Sequence, residues 1–113
     1  MSLPASVRGW LEPALDPDEE WTWADVERRL TDNTAQLWLG SGCAMVTEYD
    51  GDCIHVWLGG GDLPGLLALR PHVEREARSK GYRTATINGR LGWDRVLRPF
   101  GYVRKGMELE KVL

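Results

Sequence analysis

The chain has 113 residues with 42% hydrophobic and 27% charged side chains, which is typical of one folded domain and excludes a disordered protein. No apolar stretch approaches the roughly 20 residues that span a bilayer, and the first residues lack the basic-then-apolar layout of a signal peptide. We therefore expect a single domain over residues 1–113, located in the cytoplasm and without a membrane contact.

The cysteines and the charges narrow the possible partners. Cys43 and Cys53 are too few for a disulfide scaffold and lack the clustered spacing of a zinc site, so we expect free thiols and no metal. The net charge of −3 is uneven, since residues 1–62 carry 3 basic and 12 acidic side chains (−9) and residues 63–113 carry 11 and 5 (+6). This polarity favours a protein partner or self-association, or else acidic and basic elements that face each other within one fold. The basic residues form no nucleic-acid motif.

The N-terminal residues 1–20 are rich in proline and in acidic side chains. The apolar residues within 7–15 have roughly helical spacing, which predicts a docked arm or a short helix. Thr22 and Asp25 follow in the Thr-x-x-Asp pattern of a capping box, and apolar residues then repeat at helical intervals. We therefore predict a helix from Thr22 to about Asn33.

Three strands are predicted next, at 35–39, 43–49 and 53–58, with turns at 40–42 and at Asp50-Gly51. A two-residue turn at Asp50-Gly51 pairs Cys43 with Leu58, so the two cysteines are not cross-strand partners. In this register one face carries Met45, Thr47, Ile54, Val56 and Leu58, and the other carries Ala44, Val46, His55 and Trp57. Because both faces are largely apolar, helices must cover the sheet on both sides.

The C-terminal half alternates helices and strands. The spacing of Leu66, Leu69 and Val73 predicts a helix over 63–80 that Gly81 ends, and Pro71 either kinks this helix or begins its main part. A strand at 82–88, a short helix at about 92–98 and a last strand or hairpin at 102–112 follow. The order predicts an α/β (α+β) fold with a central, mostly antiparallel mixed sheet and helices on both faces.

Several stretches of the sequence resemble known proteins. Residues 77–82 read Ala-Arg-Ser-Lys-Gly-Tyr and precede a strand and a short helix that closes on Phe100-Gly101-Tyr102. This pattern resembles the GNAT superfamily of N-acetyltransferases from about Trp21 to the C-terminus. Residues 56–63 and 89–95 look like short GNAT-like proteins of phages and prophages, and the layout is similar to internal virion proteins of some short-tailed phages. The resemblance implies one GNAT-like domain.

For an active enzyme, the resemblance implies acetyl-CoA as cofactor, bound between two splayed strands with its pyrophosphate at the N-terminus of the helix over 63–80. The phosphate loop would be formed by Gly59, Gly60, Gly61 and Leu63. The sequence departs from the family's loop, because Asp62 places a carboxylate there and Pro64 removes an amide. The other interpretation is a tight glycine turn followed by Asp62 as a helix cap.

Catalytic groups are sparse. The family's general acid is a tyrosine of the last helix, and the resemblance places that position at Leu97, which cannot donate a proton. On the strand before the glycines, His55 is the candidate general base, with Glu48 diagonally across the hairpin as its orienting partner. The alternative is a half-buried sheet histidine beside Trp57 and Val46.

Four residues are candidates for an interface or a blocked site: Trp21, Trp23, Arg90 and Trp93. The resemblance places Arg90 and Trp93 where the family has an asparagine and a small residue beside the pantetheine arm, so the indole would fill that slot. Otherwise Trp93 is core and Arg90 is a surface charge. Six tryptophans in 113 residues favour some exposed indoles for protein contacts, and Trp21 and Trp23 follow the acidic run.

These patterns favour a degenerate GNAT-like protein of phage or prophage origin that lacks acetyl-CoA-dependent catalysis and needs no cofactor. It would act through a protein partner or through self-association, in the cytoplasm or within a phage particle. The alternative is an active acyl-CoA-dependent N-acetyltransferase with an atypical pyrophosphate loop and His55 as its base. The expected fold supports both, since a fold does not determine a function.

Overall fold

The computed structural model describes residues 3–15, 19–88 and 93–113. The helices are α1 (Ala5–Leu11), α2 (Trp23–Thr31), α3 (Leu63–Ser79) and α4 (Trp93–Leu97), with short 3₁₀ turns at Glu12–Ala14 and Arg98–Phe100. The strands are β1 (Gln36–Gly40), β2 (Cys43–Asp50), β3 (Cys53–Gly61), β4 (Thr84–Asn88), β5 (Val103–Lys105) and β6 (Glu108–Val112). In the described ranges, none of the helices has the length and apolar character needed to cross a bilayer.

The six strands form one sheet in the order β1-β2-β3-β4-β6-β5. Neighbours pair antiparallel except β3 and β4, which are parallel because α3 carries the chain back across the sheet. One core, around Leu11 and Val26, lies between the sheet and the α1–α2 pair. A second core, around Leu66 and Leu109, lies under α3 and α4. The predicted mixed, mostly antiparallel sheet with helices on both faces is therefore confirmed.

The N-terminal arm contains α1, which packs directly on β3. Val7 and Leu11 are buried in the core that α1 shares with α2. The backbone of α1 comes so close to the sheet that a Cβ atom on Gly60 would lie 1.8 Å from the carbonyl oxygen of Trp10. Glycine at position 60 is therefore required by the docking of α1.

The ends of α2 and α3 follow the local signals in the sequence. Thr22 and Asp25 form the predicted capping box, in which the Asp25 carboxylate accepts a 2.8 Å hydrogen bond from the Thr22 amide. At the C-terminus of α3, Gly81 has a φ of 89°, and the Gly81 and Tyr82 amides donate to carbonyls of the last helical turn. α3 runs without a break through Pro71, so the alternative in which Pro71 begins the helix is wrong.

The β2–β3 hairpin differs from the predicted register. Asp50 pairs with Cys53, so the two-residue loop is Gly51-Asp52 rather than Asp50-Gly51. Gly51 has a φ of 60°, which glycine adopts without strain at the first loop position. This shift, together with a β-bulge further along the hairpin, pairs Cys43 with Gly61 instead of Leu58. Both cysteines are free thiols and not cross-strand partners, as predicted.

A β-bulge at Trp57 explains a second difference. Thr47 pairs with Val56, but the preceding Val46 pairs with Leu58, which leaves Trp57 as the extra residue of β3. Beyond the bulge the side chains of β3 change faces. Leu58 therefore lies with Val46 in the core under α1 and α2, and its predicted place on the same face as Met45 and Ile54 is wrong.

A buried polar network connects α3 to the C-terminal strands. The Glu74 carboxylate is 5% exposed and accepts hydrogen bonds from Arg70 Nη1 (2.6 Å), Lys111 Nζ (2.6 Å) and the Tyr102 hydroxyl (2.8 Å). Burial raises the pKa of the Glu74 carboxyl, but these three donors outweigh burial and hold that pKa below its ordinary value. Burial and the Glu74 charge also raise the pKa of Tyr102. The network is thus an ionised structural link.

Candidate functional site

The pairing of β3 with β4 ends near the centre of the sheet. It runs from Cys53 with Thr84 to Val56 with Ile87, and β4 itself ends one residue later, at Asn88. β3 continues to Gly61, and in the described part of the chain this stretch pairs with β2 only. It starts at the bulge at position 57, where β3 changes its side-chain faces. We call the place beside this stretch, past the end of β4, the gap; α3 lies on one side of the sheet there and the α1–α2 pair on the other.

On the α3 side, the gap opens into an apolar cleft of about 80 Å³. Its walls include Met45, Val56, Leu66, Leu67, Ile87 and Trp93. Because these side chains are apolar, the cleft is suited to an apolar group. Trp93 forms one wall at the position where the resemblance puts the pantetheine arm.

A second, polar pocket of about 270 Å³ lies against α2, and its lining includes Trp21, Arg29, Glu48, His55 and Trp57. The Arg29 guanidinium carbon is 4.3 Å from the ring centre of Trp21 and 4.8 Å from that of Trp57. Arg29 Nη1 is also 2.6 Å from Glu48 Oε2. Cation–π contacts and a charge-assisted hydrogen bond therefore fix the guanidinium in the wall of this pocket.

The two cavities meet at the gap. Ala14, Trp57 and Asn88 line both of them. Trp57 reaches both because it is the extruded residue of the bulge, and Asn88 because it is the last residue of β4. The polar pocket and the apolar cleft are therefore two sides of one site.

His55 lines the polar pocket and is oriented by residues other than the predicted one. Its Nδ1 lies 2.8 Å from Thr86 Oγ1, on the neighbouring parallel strand, and 3.4 Å from Glu108 Oε2. Glu48 lies directly opposite His55 in the register, not diagonally, and its carboxylate is held by Arg29. The prediction that Glu48 orients His55 is therefore wrong, because the cation takes up the carboxylate.

The N-terminus of α3 is capped by its own chain. The Asp62 carboxylate accepts a 2.9 Å hydrogen bond from the Gly65 amide, and the Asp62 carbonyl accepts one of 3.0 Å from the Leu66 amide. Pro64 has no amide hydrogen. The cap that the sequence predicts is confirmed, and it leaves a carboxylate where a phosphate would need amide donors and positive charge. These residues do not fit a pyrophosphate.

The β1–β2 turn also covers this helix end. The Asp62 amide donates to the Gly42 carbonyl at 2.9 Å. A Cβ atom on Gly65 would lie 2.4 Å from the carbonyl oxygen of Ser41, so the turn contacts the helix backbone directly. An anion would therefore have to displace both the turn and the Asp62 cap.

The glycine run belongs to β3 and is not a loop. Gly59, Gly60 and Gly61 pair with Met45, Ala44 and Cys43 of β2. Gly61 has a φ of 104°, and a Cβ atom there would lie 2.4 Å from the Gly42 carbonyl oxygen. The predicted turn or phosphate loop over Gly59, Gly60 and Gly61 is therefore wrong, since the chain leaves the strand only at Asp62. Gly60 and Gly61 are needed for close packing.

The remaining candidates fall in different surroundings. Trp21 is 39% exposed at the rim of the polar pocket, and Leu63 is exposed at the start of α3. Trp23 is buried in the core under α1, so its predicted exposure for protein contacts is wrong, because the first turn of α2 faces the sheet. Leu97 is buried in the core under α3. Arg90 lies outside the described residues.

Sequence reasoning missed three residues of the site: Arg29, Thr86 and Asn88. Arg29 is 19 residues from Glu48, and Thr86 is 31 residues from His55. Contacts over such separations leave no local spacing signal. Asn88 alone had a signal, since a polar residue ends a strand otherwise built of small and apolar side chains.

Comparison with solved structures identifies the fold. A crystal structure of an acetyltransferase from Bacillus cereus ATCC 14579 superposes with a TM-score of 0.54 at 13% sequence identity, covering 87% of this chain and 98% of that chain. No protein-family model matches the chain, and no curated protein matches it in sequence. The chain thus has an acetyltransferase-like fold, as the GNAT resemblance predicts, and at this identity the similarity concerns the fold alone.

Metal chemistry has no structural basis in the described part of the chain. Within residues 3–15, 19–88 and 93–113, no three His, Cys, Asp or Glu side chains gather closely enough to hold a metal ion. The site offers one imidazole, the Arg29–Glu48 ion pair and three indoles, and its lining also includes Glu19, Arg70 and Asn88.

Proposed function

We propose that this chain is a non-catalytic protein of the acetyltransferase fold that does not use acetyl-CoA and acts through contacts with other proteins. The observation that carries the proposal is the closed N-terminus of α3. A pyrophosphate is stabilised by free amides and a positive helix end. Here Asp62 supplies a negative charge and bonds the Gly65 amide, and Pro64 lacks an amide hydrogen.

The cleft supports the same proposal. The arm of an acyl-CoA is a long chain, and the resemblance places it where Trp93 forms a wall of a small cleft of about 80 Å³, so the arm would compete with the indole for this space. Trp93 packs against the core under α3, so its displacement would also expose apolar surface.

Exposed apolar side chains support a role in protein contacts. They include Trp21, Leu39, Met107 and Val112, which lie on the rim of the polar pocket and near the two edges of the sheet. The resemblance of residues 56–63 and 89–95 to phage and prophage proteins extends the proposal to a phage or prophage origin. The protein would then act in the cytoplasm or within the virion.

The first experiment is a calorimetric titration with acetyl-CoA and CoA at low salt, where an interaction with phosphate is strongest. We expect no saturable heat up to about 1 mM ligand, the weak limit of specific binding. Asp62→Asn is a useful companion variant, since it removes the charge and keeps a capping oxygen. It should bind no better, because Pro64 and the β1–β2 turn remain. Micromolar binding by the wild-type protein would overturn the proposal.

One observation favours a second candidate, an active acyl-CoA-dependent N-acetyltransferase. The polar pocket that contains His55 adjoins the apolar cleft at the gap and shares three lining residues with it, so an imidazole lies next to the cleft that would hold the acyl donor. Chromatographic detection of free CoA in the presence of a panel of amines tests this candidate. If the candidate is correct, the wild-type protein releases CoA, and His55→Ala abolishes this turnover without changing the melting temperature. If the wild-type protein releases no CoA, the candidate is wrong.

A further inference from the structure

The sheet has two edges, and they differ in how they are protected. β5 forms one edge with three residues, of which Arg104 and Lys105 are charged. β1 forms the other edge with five residues, Gln-Leu-Trp-Leu-Gly, and it has neither a charged residue nor a proline. Natural proteins usually block edge strands with charges, prolines or short length, because a free edge pairs with another strand. β1 has none of these protections.

The backbone of β1 presents a regular set of free hydrogen-bonding groups. Because a two-residue loop joins Gly40 to Cys43, these residues form the hydrogen-bonded pair that closes the β1–β2 hairpin. Alternation then directs the amides and carbonyls of Gln36, Trp38 and Gly40 towards β2. Those of Leu37 and Leu39 point away from the sheet. In the described part of the chain, β2 is the sole strand neighbour of β1.

Side-chain contacts hold β1 in an extended shape that is ready for pairing. Trp38 Nε1 donates to Thr47 Oγ1 at 2.8 Å, and the Thr47 hydroxyl donates to Gln36 Oε1 at 3.1 Å. These bonds fix Gln36 and Trp38 on the α3 face. Leu37 and Leu39 lie on the opposite face, where Leu37 packs on the core and Leu39 is 60% exposed.

We propose that β1 pairs antiparallel with β1 of a second copy of this chain, about a twofold axis at Trp38. In this register Leu37 lies opposite Leu39 of the other copy, and the outward groups of these residues form four hydrogen bonds. The exposed Leu39 is covered by Leu37 of the other copy, and the two Trp38 residues form an aromatic cross-strand pair. The six-stranded sheets of the two copies then form one continuous sheet.

Charge favours a second copy as the occupant. β1 contains no ionisable side chain, so two identical edges meet without bringing like charges opposite each other. The net charge of −3 adds only weak long-range repulsion. The contact gives the proposed function a partner, and it uses neither the α3 N-terminus nor the cleft, so it can fail or succeed independently of CoA binding.

Two five-residue strands that pair bury an area no larger than that of the smallest specific protein interfaces. We therefore expect a dissociation constant in the micromolar range or weaker. Sedimentation velocity is therefore measured from about 10 µM to about 1 mM. The wild-type protein should shift from monomer to dimer over this range. Leu39→Lys, which adds the usual protective charge to the edge, should remain monomeric. Val103→Lys is the matched control on the β5 edge, where Val103 is 62% exposed, and it should dimerise like the wild type.

Amide exchange followed by NMR locates the contact. The Leu37 and Leu39 amides should exchange more slowly at high protein concentration, while the Trp38 amide should be protected at every concentration because it bonds to β2. A wild-type protein that stays monomeric at 1 mM would overturn the proposal, as would dimerisation that survives Leu39→Lys or disappears in Val103→Lys. A parallel CoA titration of Leu39→Lys separates this result from the proposed function, since dimer formation and CoA binding are then read independently.

Discussion

The contact between α1 and Gly60 gives a sharp test of why the glycine run exists. In Gly60→Ala, the new Cβ atom would lie 1.8 Å from the Trp10 carbonyl oxygen and 2.7 Å from the Trp10 carbonyl carbon. Cβ atoms essentially never come closer than 3.0 Å to another heavy atom, so raising the separation from 1.8 to 3.0 Å moves α1 outward by at least 1.2 Å. The contact is with backbone atoms of α1 and not with a flexible side chain, so the whole helix must shift.

The cost follows from what α1 buries. Val7 and Leu11 are almost fully buried beneath it, and full burial of such a side chain contributes about 1.5–3 kcal/mol. Partial loss of both contacts, added to the usual overpacking cost of about 1–3 kcal/mol, gives an expected destabilisation of about 3 kcal/mol. For a domain of this size that corresponds to a fall in Tm of about 10 to 15 °C.

Urea unfolding followed by tryptophan fluorescence measures the effect, and Gly59→Ala is the matched control. It makes the same chemical change on the neighbouring residue of β3, where the new Cβ atom would meet Leu66 Cδ2 at an ordinary 3.7 Å. Its free energy of unfolding should stay within about 1 kcal/mol of the wild type. Equal unfolding midpoints for the two variants would refute the close docking of α1. The glycines would then be better explained as a loop that binds a ligand.

Three further predictions test the core, the thiols and the helix cap. Glu74→Gln leaves two half-buried cations, Arg70 and Lys111, without their buried anion and should lower the free energy of unfolding by about 3 kcal/mol, whereas Glu76→Gln on the exposed side of α3 should change it by less than about 0.5 kcal/mol. Because the pKa of Glu74 is lower in the folded than in the unfolded protein, its carboxylate stabilises the fold above the unfolded value of 4.5 and loses this effect as the pH falls through the folded value. Urea midpoints measured against pH should therefore fall below pH 4.5 in the wild type and less steeply in Glu74→Gln. Burial raises the pKa of the Cys43 thiol, so a thiol reagent should modify the half-buried Cys53 first, and Cys53→Ser should lack the fast phase. Thr22→Ala removes the capping oxygen of α2 and should cost about 1 kcal/mol in urea unfolding.

Local signals in the sequence predicted most of the fold. The capping box at Thr22, the cap at Asp62 and the end of α3 at Gly81 each depend on residues no more than five apart, because backbone amides and carbonyls at helix ends bond to near neighbours. The apolar character of both faces of the β2–β3 hairpin likewise required helices on both sides of the sheet. The family resemblance then predicted the same arrangement, and the structural comparison supports it.

The strand register and the site depended on interactions that sequence spacing does not encode. The hairpin closes one residue later than predicted, and the bulge at Trp57 reverses the faces of everything after it. Which residue a strand extrudes depends on packing from both sides, and here α1 presses on Gly60 just beyond the bulge. The sequence also could not predict that Glu48 pairs with Arg29 and not with His55, since this pairing depends on where α2 lies over the sheet.

The gap beside β3 does not by itself indicate a cofactor, because the arrangement of the two strands is enough to produce it. The two strands are parallel since α3 crosses between them, and their pairing ends next to the bulge at Trp57, one residue before β4 itself ends at Asn88. In an enzyme of this fold the helix end beside such a gap must stay open to receive an anion. Here the same backbone groups are bonded to Asp62 and to the turn at Gly42. The residues that would receive a phosphate instead stabilise the junction of β1, β3 and α3, and that junction holds in place the uncharged edge through which we propose that two copies meet.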